Sequence, residues 1–330
     1  MGEIKMKELT YAQAICEALD EEMARDQDVL LLGEDVGLIG GNFKTSVGLM
    51  EKYGEWRVKD TPISESGFVG MAIGMATTGM RPVVELMFSD FLAVCMDQIT
   101  NQAAKIRYMS GGQVKVPLTI RMPIGGGRSS AAQHSQSLQA WVSHIPGLKV
   151  VVPSSGAEVK GLLKTAIRDD NPVIFMEHKM QYNRTFSVPE GEYTIPFGKA
   201  NVVHEGDRLT IVATSDLVLK SKDVAGELAK EGIYVEVIDV RTLVPFDRQT
   251  IIDSVKKTGR LLIVDEGHLN CGVGAEIGMN VMEDVFYDLD MPIMRIGTAD
   301  VPLPFSPALE FPIVPDAKKI YAKAKEMAKK

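Results

Sequence analysis

Cysteine is nearly absent from this chain of 330 residues: Cys16, Cys95 and Cys271 stand far apart, odd in number, with no CxxC pair. A disulfide framework and a thiolate zinc site are therefore not expected. Histidine is scarce too (His134, His144, His178, His204, His268), and no HxxxH or HExxH spacing occurs, which argues against a histidine-based zinc site. No run of 18 apolar residues exists, so no transmembrane helix is expected. The opening stretch MGEIKMKELTYAQ lacks an apolar core and carries acids, so it reads as neither a secretory signal nor a transit peptide. A reducing, cytoplasmic setting is the expectation. Positive charge is not in excess: 36 Lys+Arg against 44 Asp+Glu leave a net charge of −8. Such a chain is a poor candidate for nonspecific binding to nucleic acid or to an anionic membrane.

What is present is an ordinary globular composition, 45% hydrophobic and 24% charged. The length suits two domains of about 150 residues, and a chain of this size buries roughly 75% of its unfolded surface. Strand and helix patterns alternate. Thr10 to Gln13 reads as a capping box ahead of helical spacing at Ala12, Ile15, Cys16, Leu19 and Met23. Strands are predicted at 29–32, within 81–87, at 116–120, 149–152 and 173–176. Helices are predicted over 67–79, from Leu92 to near Gly111-Gly112, and over 156–168. Residues 181–207 break the rhythm and read as a linker crossing the surface. Strands at 209–213, 235–240, 261–264 and 293–296, a helix over 216–231 and a last amphipathic helix from Ala317 resume it. The fold class expected is α/β, with two doubly wound domains, each a mostly parallel sheet covered on both faces.

Three glycine clusters invite a nucleotide reading. Gly272 to Gly278 is a GxGxxxG rather than the dinucleotide fingerprint and follows its strand too loosely, so a plain helix start stands beside a nucleotide-binding electron-transfer role. Gly125 to Gly127 lacks the Lys and Ser/Thr of a P-loop. Gly70 and Gly74, four apart, bare one helix face for close packing. Two titratable residues stand out: Glu65 before the glycine-rich helix, a dipole partner or a catalytic acid, and His134 after the Gly-rich loop, an ordinary helix-start residue or a catalytic one.

At DTPISESGFVGMAIGMA (60–76) and AAQHSQS (131–137) the sequence resembles the beta subunits of the thiamine-diphosphate-dependent first component of 2-oxo acid dehydrogenase complexes, within the transketolase-like superfamily. LLLGEDVG (30–37), RPVVELMFSDF (81–91), DQITNQAAKIRYMSGG (97–112), IPGLKVVVPSS (145–155), AIRDDNPVIF (166–175) and DVPLPFSPALE (300–310) extend the resemblance, in family order, over essentially the whole chain. It implies a thiamine pyrimidine-binding domain over 1–185, a linker over 186–205 and a C-terminal transketolase-like domain over 206–330.

The resemblance assigns roles. Glu65 matches the glutamate that bridges to N1′ of the aminopyrimidine and drives the tautomer needed to remove the C2 proton. Ile63, Met87 and Phe91 match residues lining the ring's apolar pocket, and a dry pocket raises a carboxyl pKa and keeps a shareable proton. His134 matches a histidine that orients or protonates intermediates and assists acyl transfer to a lipoyl group. Leu118, Ala166, Ile167, Asp169 and Asn171 match a potassium site built mostly of backbone carbonyls; on its own, DDNP at 169–172 reads as a turn.

The chain has no GDG segment, the family's holder of magnesium and diphosphate. The implied enzyme is an α2β2 heterotetramer whose cofactor, thiamine diphosphate with Mg2+, lies between this chain and an alpha subunit; a complete transketolase would carry both halves. The implied partners are that alpha subunit, a lipoyl acyltransferase core and a small 2-oxo acid or acetoin. ELMFSDF and AAQHSQSLQAW resemble the acetoin type, and pyruvate or acetoin is favoured over branched-chain acids. Glu283, Asp284, Asp288 and Asp290 either form an acidic docking surface for the acyltransferase or solvate a helix end.

Overall fold

The computed structural model describes residues 5–329, which divide into two compact units. The first holds the residues up to Ile124 together with Trp141–Phe197; the second holds Gly125–Ala140 and the residues from Gly198 onward.

In the first unit a parallel sheet runs in the order Lys149–Val151, Val173–His178, Thr119–Ile124, Arg81–Glu85, Val29–Gly33, Val58–Asp60. Three of these strands, Val29–Gly33, Thr119–Ile124 and Val173–His178, are buried along their whole length. That is why they read as apolar runs rather than as alternation. Helices Tyr11–Arg25 and Gly156–Arg168 pack on the sheet, where Ile15, Leu19, Leu162 and Leu163 join Leu31 and Phe175 in one core. The capping box forms: Thr10 Oγ1 accepts from the Gln13 N–H at 3.1 Å, and the Thr10 N–H donates to Gln13 Oε1 at 2.8 Å. The same two helices are cross-linked by ions. Lys164 Nζ lies 2.6 Å from Glu21 and 2.7 Å from Glu192, and Lys160 Nζ lies 2.7 Å from Glu21.

Three elements differ from the sequence reading. The strand expected at 116–120 runs over Thr119–Ile124, because Pro117 has no N–H for a ladder and pairing starts beyond it. The long helix expected from Leu92 to near Gly111-Gly112 is broken into Leu92–Asp97, a π-helical turn Gln98–Ala103, and Ala104–Met109, with Cys95 at φ −111°, ψ 16°. Within 181–207, Thr185–Pro189 is a strand paired antiparallel with Met6–Thr10, and Tyr193, Ile195 and Phe197 pack against the first core.

The second unit has a five-stranded sheet in the order Met294–Thr298, Leu261–His268, Leu209–Ala213, Val235–Asp239, Asn201–His204. All neighbours are parallel except the last pair. The closing helix Ala317–Lys329 buries Ile320, Ala324 and Met327 against Leu217 and Leu228. Gly274 and Gly278 serve helix–strand packing: a Cβ there would meet Ile263 at 3.3 and 3.4 Å. The acidic cluster is largely paired, Asp284 to Arg248 at 2.5 Å, Glu283 to Arg248 at 3.2 Å, and Asp290 to Arg260 at 3.6 Å. No helix of the described residues is long and apolar enough to cross a membrane.

The first sheet holds an unexpected charge. Arg121 is 1% exposed inside its strand and pairs with Glu177 of one neighbouring strand (2.9 and 2.8 Å) and with Glu85 of the other. Arg121 Nη1 also donates to Thr45 Oγ1 at 3.0 Å, Thr45 donates to Glu85 at 3.0 Å, and the Tyr182 hydroxyl donates to Glu177 at 2.7 Å. Arg121→Met leaves two carboxylates without their cation. Removing one partner of a buried pair costs about 3–5 kcal/mol, so Tm measured by calorimetry should fall by roughly 6–20 °C. Replacing Glu85 and Glu177 with Leu and Met in the same chain should recover most of it. An unchanged Tm in the single variant would show the network to be dispensable.

Candidate active site

The C-terminal edge of an open parallel sheet is where such folds bind ligands. Strand Val58–Asp60 ends there, and Glu65 opens helix Glu65–Thr77 shortly after it. Glu65 is 6% exposed. The neighbouring strand Val29–Gly33 ends at the same edge, pairing Gly33 with Asp60, and is followed by Glu34. The buried Oε1 of Glu34 makes no hydrogen bond among the described residues. Burial first, then the negative charges of Glu65 and Asp35, push the Glu34 carboxyl above its ordinary pKa. Two strand-end carboxylates therefore share one field. The sequence reading passed over Glu34; its signal was an acid placed directly after the glycine that closes a buried strand.

The loop after Glu34 is tied to the sheet by the Thr45–Glu85 bond and by Gly37 N–H donating to Asp60 at 2.6 Å. Phe43 stacks on Tyr182 at 4.3 Å and meets Phe88 edge-on, and Phe88 meets Phe91 edge-on. Met87 and Phe91 are half-buried, but Ile63 is 85% exposed. Ile63 is therefore not part of a closed pocket within this chain, and Leu38 and Trp56 are equally bare. On helix Glu65–Thr77 a Cβ at Gly70 would meet only the Gln98 side chain, at 3.4 Å, and one at Gly74 would meet nothing within 4 Å.

The residues matched to a cation site share one hydrogen-bonded neighbourhood. Arg81 Nη1 donates to the carbonyls of Ile167 (3.1 Å) and Asp169 (3.2 Å), and Arg107 Nη1 donates to Asn171 Oδ1 at 2.7 Å. The Leu118 carbonyl accepts from the Val173 N–H at 2.8 Å, and that of Ala166 accepts from the Asp169 N–H at 3.2 Å. Each oxygen has one donor, and a carbonyl oxygen has a second lone pair. Neutral carbonyl and amide oxygens suit a hard monovalent cation, which would share them with the guanidiniums. Arg81 and Arg107 are the residues the sequence reading missed here.

His134 ends a single helical turn, Ala132–His134, in the stretch Gly125–Ala140 that clusters with the second unit. It is half-buried. The structure thus places Glu65, Ile63, Met87, Phe91 and the five carbonyl-site residues in the first unit and His134 in the second.

The transketolase pyrimidine-binding domain matches residues 7–185, and the transketolase C-terminal domain matches 198–320. The chain is 47% identical to the acetoin:2,6-dichlorophenolindophenol oxidoreductase subunit beta of Cupriavidus necator, over 98% of both chains. It is 48% identical to the pyruvate dehydrogenase E1 component subunit beta of Rickettsia felis, over 97% of this chain and 98% of that one. The chain belongs to the family of pyruvate and acetoin dehydrogenase beta subunits. Its fold also superposes on a split-gene transketolase described as an inactive beta4 tetramer, with a TM-score of 0.78 at 24% identity, covering 97% of this chain and 99% of that one.

In this beta subunit the buried thiols are poor nucleophiles: burial pushes Cys16 up to about 11 and Cys95 up to about 12. The strained carboxylate is Glu34. Its folded pKa is raised, so the native state holds the proton longer than the unfolded chain does. Stability is then lost as pH rises from the ordinary carboxylate pKa through the raised one. Glu34→Gln should leave Tm unchanged at pH 4 or below and raise it at pH 7. A scanning-fluorimetry series against pH reads this directly, and equal shifts at both ends would remove Glu34's charge from the account.

Proposed function

We propose that this chain is the beta half of a thiamine-diphosphate-dependent dehydrogenase acting on pyruvate or acetoin, in an α2β2 assembly that passes an acyl group to a lipoyl acyltransferase in the cytoplasm. The observation that carries the reading is Glu65, a nearly inaccessible carboxyl that opens its helix just past the sheet edge and lies within the electrostatic reach of Glu34. On this reading residues 1–185 form the pyrimidine-binding domain, 186–205 the linker and 206–330 the C-terminal domain.

The residues fit one half of the cofactor. A nearly inaccessible acid suits the ring nitrogen of an aminopyrimidine, and the exposed Ile63, with the bare position at Gly74, suits completion by an alpha subunit that also holds Mg2+ and the diphosphate. When bound, thiamine supplies through its C2 carbon the electron sink that lets the carbon–carbon bond beside a ketone break. Glu65 would face the ring nitrogen N1′ and exchange a proton with it. Ile63, Met87 and Phe91 exclude water from that contact, which strengthens it. His134 orients the reacting groups during acyl transfer.

Glu65→Gln keeps the shape and removes the shareable proton. Loss of one proton-transfer group costs about 10²–10⁴ in rate, so exchange of the thiamine C2 proton in the complex reconstituted with its alpha subunit should slow by that factor. Wild-type exchange would sink the assignment.

The same reading gives K+ to the carbonyls of Leu118, Ala166, Ile167 and Asp169 and to Asn171. Replacing K+ with tetramethylammonium should lower Tm by about 2–4 °C. Asn171→Ala should abolish the difference. Equal melting in both salts would leave Arg81 and Arg107 as the site's sole cations.

A further inference from the structure

The glycine loop at 125–127, which lacks a P-loop's lysine, turns its N–H groups on acids of the same chain. Gly127 N–H donates to Glu310 Oε1 at 2.7 Å, and Ser129 donates to Glu310 Oε2 through its N–H at 2.8 Å and its hydroxyl at 3.2 Å. The Gly126 N–H donates to Glu266. At the far end of the same stretch, Gln139 Nε2 donates to both oxygens of Asp265 at 2.9 and 3.1 Å. Glu310 is 0% exposed, Asp265 4% and Glu266 8%.

The backbone between these anchors is held in conformations that L residues resist. Gly125 and Gly127 have φ of 98° and 87°, which glycine tolerates, but Ser129 at 54° and Ala131 at 63° do not have that freedom. A Cβ at Gly126 would come within 2.6 Å of Leu303 and 3.4 Å of Glu310. Such a loop relaxes unless its surroundings over-determine it. Bonds to a buried, ionised acceptor are the strong kind that can do so.

From this geometry we infer that Glu310 is a positioning residue: its carboxylate fixes the glycine loop and thereby sets His134 for acyl transfer. It acts through the loop and touches no reacting atom. The inference rests on the role proposed for His134. A glutamine at 310 would present an amide N–H to one of two N–H donors, so one anchor is lost and a buried donor is left unpaired.

The test uses the αβ complex with a lipoyl domain and compares two rates. One is acylation of the lipoyl domain; the other is substrate-dependent reduction of an artificial electron acceptor, which bypasses that transfer. Glu310→Gln should lower the ratio of the first to the second by tenfold or more, and it should add nothing to the loss caused by His134→Ala, because both act on one step. Ser129→Gly serves if Glu310→Gln fails to assemble. It relieves the positive φ, keeps the backbone donor and removes the hydroxyl anchor, so it should lower the same ratio by about two- to threefold. An unchanged ratio in whichever variant assembles, or losses from 310 and 134 that multiply, overturns the inference while a wild-type complex that acylates leaves the functional reading standing. A wild-type complex that reduces the acceptor but acylates no lipoyl domain overturns both.

Discussion

Arg121 is the constraint from which the first unit's working edge follows. A guanidinium inside a fully buried strand is tolerable only because the strands on either side each supply a carboxylate, Glu85 directly opposite it and Glu177 two residues beyond its register partner Phe175. The bonds then spread outward. Glu85 receives Thr45 and so holds the loop that follows Glu34; Glu177 receives Tyr182, whose ring stacks on Phe43 of the same loop. Two independent contacts from one ionic centre thus fix the segment beside the acid pair. A hydrophobic centre would hold the sheet equally well, but it would have no directional bonds to extend to that loop.

Local signals were legible. The capping box at Thr10 and the helix over 156–168 carry their punctuation within a few residues, and both stand where the pattern put them. The strand at 119–124 was displaced in the reading because its decisive residue looks wrong for a strand. Arg121 makes sense only with partners 36 and 56 residues away. The break within the helix region 92–109 was hidden for a related reason, since the apolar spacing stays helical through the π-helical turn. Glu65 and His134 were singled out by the family's motifs. Their surroundings, Glu34 and the clamp on the His134 loop, depend on tertiary placement that no short window encodes.

The buried charges are met in two ways, and the second unit uses both, since its Glu236 and Asp216 pair with Lys257 and Lys220. In the first, buried cations and acids pair across strands and between helices, with Lys160 and Lys164 wholly buried among Glu17, Glu21 and Glu192. In the second, the buried acids Asp265, Glu266 and Glu310 are met by N–H groups. Backbone donors cannot wander as a lysine side chain can. A loop held by them keeps one shape, which suits the role proposed for His134.

The separation of the glycine loop from its anchor has a consequence for biogenesis. Gly127 and Glu310 lie 183 residues apart. At ribosomal speeds of about 5–20 residues per second, the loop emerges roughly 10–40 s before the side chain that shapes it. During that interval its N–H groups have only water, and the strained residues Ser129 and Ala131 have no reason to leave relaxed conformations. The histidine-bearing segment is therefore among the last parts of the nascent chain to acquire its final form. A polypeptide truncated between Phe197 and residue 310 has every residue of the first unit and still lacks the anchor of the loop.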